Sequence, residues 1–237
     1  MNVIDRLIVA LDVDSEDKAI AMAERLKSDV KFFKIGLELF SSCGPQIVGR
    51  IKETGCGVFL DLKFHDIPTT VVKAAVAVTK LEPLIFNLHA LGGYDMMRRA
   101  AEAVADEAAR LKIVKPKILA VTILTSLDEK ALKEIGVGGN SKEAVLRLAG
   151  LAKKAGLDGV VASPAETKAI REKMGGDFLI VTPGVRPEWA VANDQKRIAT
   201  PKAAIRDGAD YIVIGRPITE SKNPAEAARA ILKEMEI

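Results

Sequence analysis

Cysteine, histidine and aromatic residues are scarce in this sequence. Its 237 residues hold two cysteines, two histidines, one tryptophan and 4% aromatics in all. Cys43 and Cys56 form neither a Cys-x-x-Cys pair nor a zinc spacing, so they read as small buried or half-buried residues in a reducing cytosol. No block of basic residues occurs, and the net charge is only +3, so nucleic acid is not an expected partner. No long hydrophobic run occurs either. The stretch Leu7 to Leu11 is too short for a membrane span or a signal-peptide core, and Met1 to Arg6 does not resemble a signal peptide. The expectation is a cytoplasmic protein without a membrane partner.

What is present is an ordinary globular balance, 49% hydrophobic and 28% charged. Short apolar runs alternate with longer segments of helical period. The runs are LIVAL (7–11), FFKI (32–35), VFLDL (58–62), LIFNL (84–88), KILAVTIL (117–124), GVVAS (159–163), FLIVT (178–182) and YIVIG (211–215). Near-continuous apolar runs of this length read as parallel strands buried on both faces. Ser15, Thr69 or Thr70, Thr200-Pro201 and Asn223-Pro224 are the expected starts of helices between or after them. Eight βα units in 237 residues favour one α/β domain, residues 1–237, folded as a (β/α)₈ TIM barrel. An open doubly wound sheet is the alternative.

In such a barrel the chemistry sits at the C-terminal ends of the strands. The polar residues there are Asp12, Lys34, Asp61 with Lys63, Asn87 with His89, Thr125, Arg186, and Gly215-Arg216. Asp61 and Lys63 are two apart, so strand alternation predicts one shared face, with Leu60 and Leu62 on the other. Asp66 follows in the loop. With Lys34 and Asp12 on neighbouring strands, lysines and carboxylates can alternate in one cluster. The plain reading is an ion-pair network at the barrel mouth. The functional reading is a retained charged site, because buried charges are costly.

Arg186 after the seventh run and Gly215-Arg216 after the eighth occupy the usual phosphate-binding position of this fold. Glycine lets a backbone N–H approach an anion, and arginine presents a fork of donors. The segment from Val185 to Ala199 lacks clear periodicity and suggests a lid. His65 and His89 with Asp61 and Asp66 could supply nitrogen and oxygen metal ligands, but their spacing is no strong metal motif. His65 reads as structural, and GVGGN (136–140) as a turn.

These residues carry a resemblance. DLKFHDIPTT (61–70) resembles the signature of the orotidine 5′-monophosphate decarboxylases of the short bacterial type. The similarity extends through ALDV around Asp12, FKIG around Lys34, NLHALGG (87–93), AVTILTS (120–126), TPGVR (182–186), NDQ (193–195) and IGRPI (214–218). The resemblance implies decarboxylation of orotidine 5′-monophosphate to uridine 5′-monophosphate, in pyrimidine biosynthesis, without cofactor or metal. It implies Lys63 as proton donor, flanked by Asp61 and Asp66, with Lys34 completing the network. Asp12 and Lys34 would hold ribose hydroxyls, and Thr125 would sit at the base. Gln195 would bridge from the lid to base and phosphate, and Gly215 and Arg216 would grip the phosphate. Arg186 matches a ligand-binding position whose contact the sequence does not fix. A homodimer is implied, with Asp66 and Thr70 reaching the neighbouring active site. Two rival readings remain: a metal-assisted sugar-phosphate decarboxylase or aldol-type synthase with the same Asp-x-Lys-x-x-Asp pattern, and a barrel that binds a nucleotide without turning it over.

Overall fold

The computed structural model describes residues 2–190 and 199–236. Eight parallel strands follow one another around a closed barrel, with β8 returning to pair with β1. They are β1 (Leu7–Ala10), β2 (Phe32–Ile35), β3 (Gly57–Phe64), β4 (Ile85–His89), β5 (Lys117–Val121), β6 (Gly159–Val161), β7 (Leu179–Pro183) and β8 (Tyr211–Ile214). The fold is the expected (β/α)₈ barrel, and each strand falls on one of the eight apolar runs. The run 117–124 overreaches: β5 stops at Val121, and although the Thr122 N–H still donates to the Val161 carbonyl at 3.2 Å, Thr122 to Leu124 lie outside the strand.

The chain groups into two compact units, residues 1–62 with 182–237, and residues 63–181. In the first, β2 pairs with both β1 and β3, opposing Ala10 to Lys34 and Lys34 to Phe59. All four residues of β1 are buried. A helix α1 (Glu16–Leu26) packs against α3 (Gln46–Glu53), which follows α2 (Leu37–Cys43). α1 buries Ala19, Ala23 and Leu26, positions spaced to share one helical face. Ser15 is its N-cap residue by backbone conformation, although its hydroxyl makes no capping bond.

The second unit carries α4 (Pro68–Thr79), α5 (Tyr94–Leu111), α6 (Glu129–Glu134), α7 (Ser141–Lys154) and α8 (Pro164–Met174). α4 does not begin as expected. Its N-cap is Ile67, and Pro68 occupies the first turn, so Thr69 and Thr70 lie inside the helix and cap nothing. Proline's fixed φ and missing N–H suit it to that opening position, and this outweighs the capping preference of the threonines. Gly159 is required by close packing: a Cβ there would stand 2.6 Å from Leu179 Cβ and 2.7 Å from the Leu179 carbonyl carbon.

Three helices complete the first unit: α9 (Pro201–Arg206), α10 (Arg216–Thr219) and α11 (Pro224–Glu234). The two Xaa-Pro starts hold here. Thr200 Oγ1 accepts from the Ala203 N–H at 3.2 Å, and Asn223 Oδ1 from the Glu226 N–H at 3.5 Å. Both cysteines are free thiols, Cys56 buried and Cys43 partly so. Among the described residues no helix is long and apolar enough to cross a membrane.

Candidate active site

In the unit formed by residues 1–62 and 182–237, the ends of three adjacent strands bring three charges together. Lys34 Nζ lies 3.0 Å from Asp12 Oδ1 and 3.4 Å from Asp61 Oδ2. The Lys34 and Asp61 side chains are only 12% and 11% exposed, whereas Asp12 is 57% exposed. An ion pair this enclosed is held at a desolvation cost, and removing one member strands the other. Asp12 is the open member, able to turn an oxygen toward a ligand.

Glycine leaves the room that these groups occupy. A Cβ at Gly36 would stand 2.9 Å from Lys34 Nζ. A Cβ at Gly215 would stand 3.4 Å from Ala10 Cβ and 3.5 Å from Asp12 Oδ2. The role of Gly36 was missed in the sequence, although its place two residues after Lys34 was the available signal.

A cavity of about 500 Å³ opens onto this cluster and is lined by Asp12, Lys34, Arg186, Gly215 and Arg216. That volume lies within the range of small-molecule sites. Its lining combines an ammonium and two carboxylates, those of Asp12 and Glu220, suited to hydroxyl groups, with two guanidiniums, whose planar forks match phosphate oxygens. Five of the residues expected from sequence thus meet on one cavity, and Asp61 is tied to it through Lys34. Gln195 and most of the segment expected as a lid lie outside the described residues.

The other expected residues belong to the unit 63–181. Lys63 ends the regular alternation of β3: its φ is 53°, in the left-handed region. The shared face inferred for Asp61 and Lys63 from strand period therefore does not hold as an argument, because alternation presumes extended backbone at both. A left-handed conformation costs a non-glycine residue about 1–2 kcal/mol. The Lys63 N–H donates to Asn87 Oδ1 at 2.8 Å, and Asn87 is fully buried.

Asp66 is exposed in the loop before α4, where its Oδ1 accepts from the Ile67 N–H at 2.6 Å. Thr70 is exposed in the first turn of α4, and Thr125 in the turn after β5. The rings of His65 and His89 stack obliquely with centroids 5.4 Å apart. Among the described residues no three His, Cys, Asp or Glu side chains gather as a metal site.

Fold and cavity together define a (β/α)₈-barrel enzyme. Residues 5–231 match the model of the orotidine 5′-phosphate decarboxylase / HUMPS family, and the chain belongs to that family. The orotidine 5′-phosphate decarboxylase of Syntrophomonas wolfei is 51% identical, over 98% of this chain and 98% of its own. That of Syntrophotalea carbinolica is 54% identical, over 97% of this chain and 94% of its own. Among solved structures, the orotidine 5′-phosphate decarboxylase of Lactobacillus acidophilus superposes with a TM-score of 0.87 at 41% identity, covering 98% of this chain and all of the other.

Proposed function

We propose that this chain converts orotidine 5′-monophosphate to uridine 5′-monophosphate and carbon dioxide, with protein side chains alone. The observation that carries the reading is the cavity of about 500 Å³ on which Asp12, Lys34, Arg186, Gly215 and Arg216 converge. Family membership supports the same substrate. Arg216 with Gly215 grips the phosphate, and Arg186 lies on the same anion-binding wall. Asp12 and Lys34 hold ribose hydroxyls, Thr125 sits at the base, and Gln195 closes over base and phosphate.

In the reaction the bond between the ring carbon and the carboxylate carbon breaks, carbon dioxide leaves, and the electron pair stays on the ring carbon. The Lys63 ammonium stabilises that charge and gives it a proton, ending as a neutral amine. Asp61, Asp66 and Lys34 complete the charged network. Binding energy from the remote phosphate orients the base for this step. The whole chain acts as one cytoplasmic catalytic domain, in a homodimer in which Asp66 and Thr70 serve the neighbouring site.

The test follows the absorbance of orotidine 5′-monophosphate with and without exhaustive chelation. Turnover should be equal in both. Activity lost to the chelator and restored by magnesium would favour the metal-assisted rival, and nucleotide binding without turnover would favour a binding barrel.

A further inference from the structure

We propose that Asn87 is a positioning residue for Lys63, holding the backbone of that lysine in the conformation from which its side chain serves the reaction. The inference rests on the reading of Lys63 as proton donor.

Three non-glycine residues have positive φ among the described ones: Lys63, Glu82 and Lys112. Lys112 is the C-cap of α5, and Glu82 lies just past the end of α4 with its N–H on the Thr79 carbonyl. Helix ends are where such conformations ordinarily occur. Lys63 alone is left-handed inside a strand. Strained backbone persists only where its surroundings over-determine it.

What surrounds it is a buried amide. Asn87 lies between Phe86 and Leu88 in β4, and all three are fully buried. A polar side chain in that place is unfavourable unless bonded. Its Oδ1 takes the Lys63 N–H at 2.8 Å. Only the oxygen of an amide can accept from an N–H, so the bond also fixes which way the amide faces. At β4 a leucine of nearly equal size would fill the same space but could not accept. The asparagine therefore supplies a bond that fixes one backbone group, and that group belongs to the residue whose side chain must meet the ring carbon. A displacement of about 1 Å at such a point can cost about 100-fold in rate.

The test compares Asn87→Leu, which loses the acceptor, with Asn87→Asp, which keeps it at the same size. Readouts are kcat and KM for orotidine 5′-monophosphate, uridine 5′-monophosphate affinity and thermal midpoint. Asn87→Leu should lower kcat by about 100-fold with product affinity little changed, and Asn87→Asp should restore most of it. A folded Asn87→Leu with wild-type kcat, or equal losses in both variants, overturns the proposal. So does a loss that falls on product affinity rather than kcat. If Asn87→Leu does not fold, Asn87→Ala carries the same comparison. Amide hydrogen exchange in the wild-type protein gives an answer independent of any variant: the Lys63 N–H should be protected, and rapid exchange there refutes the bond. Failure of the underlying reading looks different, because full turnover by Lys63→Ala removes the donor while leaving that amide protected.

Discussion

At the scale of single residues, the proposal divides labour between a group that acts in the transition state and a group that binds. Lys63→Ala should fold, should bind uridine 5′-monophosphate, and should lose several orders of magnitude in kcat, because an ammonium aimed at a developing carbanion matters mainly when the charge appears. Arg216→Ala should weaken product binding and turnover together, since its cavity position is suited to the phosphate. Loss of one charge-assisted contact is worth about 2–3 kcal/mol, or about 30- to 150-fold in kcat/KM. Steady-state kinetics and product titration on both variants check the division. Near-normal turnover by folded Lys63→Ala would remove the donor, and unchanged affinity in Arg216→Ala would remove the grip. Asp12, Lys34 and Arg216 were legible as cavity-lining residues because strand ends in this fold face the cavity. Asn87 was legible as a polar residue at a strand end but its bond to Lys63 was not, since the partner is a backbone group on another strand and no local pattern encodes such a bond.

At the scale of elements, the strands were the easiest part to read and their boundaries the hardest. All eight apolar runs became strands, and burial is what their composition records: β1 is buried at every residue, whereas β2 buries Phe33 and Ile35 and leaves Phe32 and Lys34 half-buried. Lys63 departs from alternation with a left-handed φ of 53°, and its N–H donates to a side-chain acceptor on β4. The N-cap of α4 is Ile67, and the helix starts at Pro68, because proline competes better for the first turn than Thr69 or Thr70 for the cap. A further tie joins the starts of β5 and β6. Asp158 accepts from Lys115 at 2.8 Å, from Lys117 at 3.1 Å and from the Ile118 N–H at 2.9 Å. Burial pushes the Asp158 carboxyl up, but the bonds from Lys115, Ile118 and Lys117 and the charge of Lys115 together hold it below the usual carboxylate range. A depressed folded-state pKa means stability that is present above the unfolded value of about 3.9 and lost as pH falls through the folded one. Solvent screens the two half-exposed lysines, so Asp158→Ala should cost about 1 kcal/mol at neutral pH, lowering Tm by a few degrees. Thermal unfolding of both proteins should show that gap narrowing as pH falls below about 4. A gap independent of pH would mean that the carboxylate charge contributes nothing to the tie.

At the scale of the whole molecule, the proposed homodimer completes each active site with residues of two chains. Asp66 and Thr70 are exposed beyond the end of β3, as is the apolar Ile67 at 68%, and Leu91 and Tyr94 are exposed beyond the end of β4, at 40% and 38%. An exposed apolar group beside proposed catalytic residues fits a surface that a second copy covers. If Asp66 serves the neighbouring site, Lys63→Ala and Asp66→Asn should each be nearly inactive as homodimers yet complement one another. In a mixed dimer one site combines Lys63 of one chain with Asp66 of the other, both intact, while the second site collects both defects. Random mixing makes about half of the dimers mixed, each with one good site in two, so activity should return to about a quarter of wild type per total site. Mixing must follow co-expression or unfolding, because an obligate dimer exchanges slowly and preformed parents would stay apart. Differently tagged chains purified through both tags would contain only mixed dimers, raising the expected return to about half. No gain over the parents in such verified mixed dimers would mean that Asp66 works within its own chain.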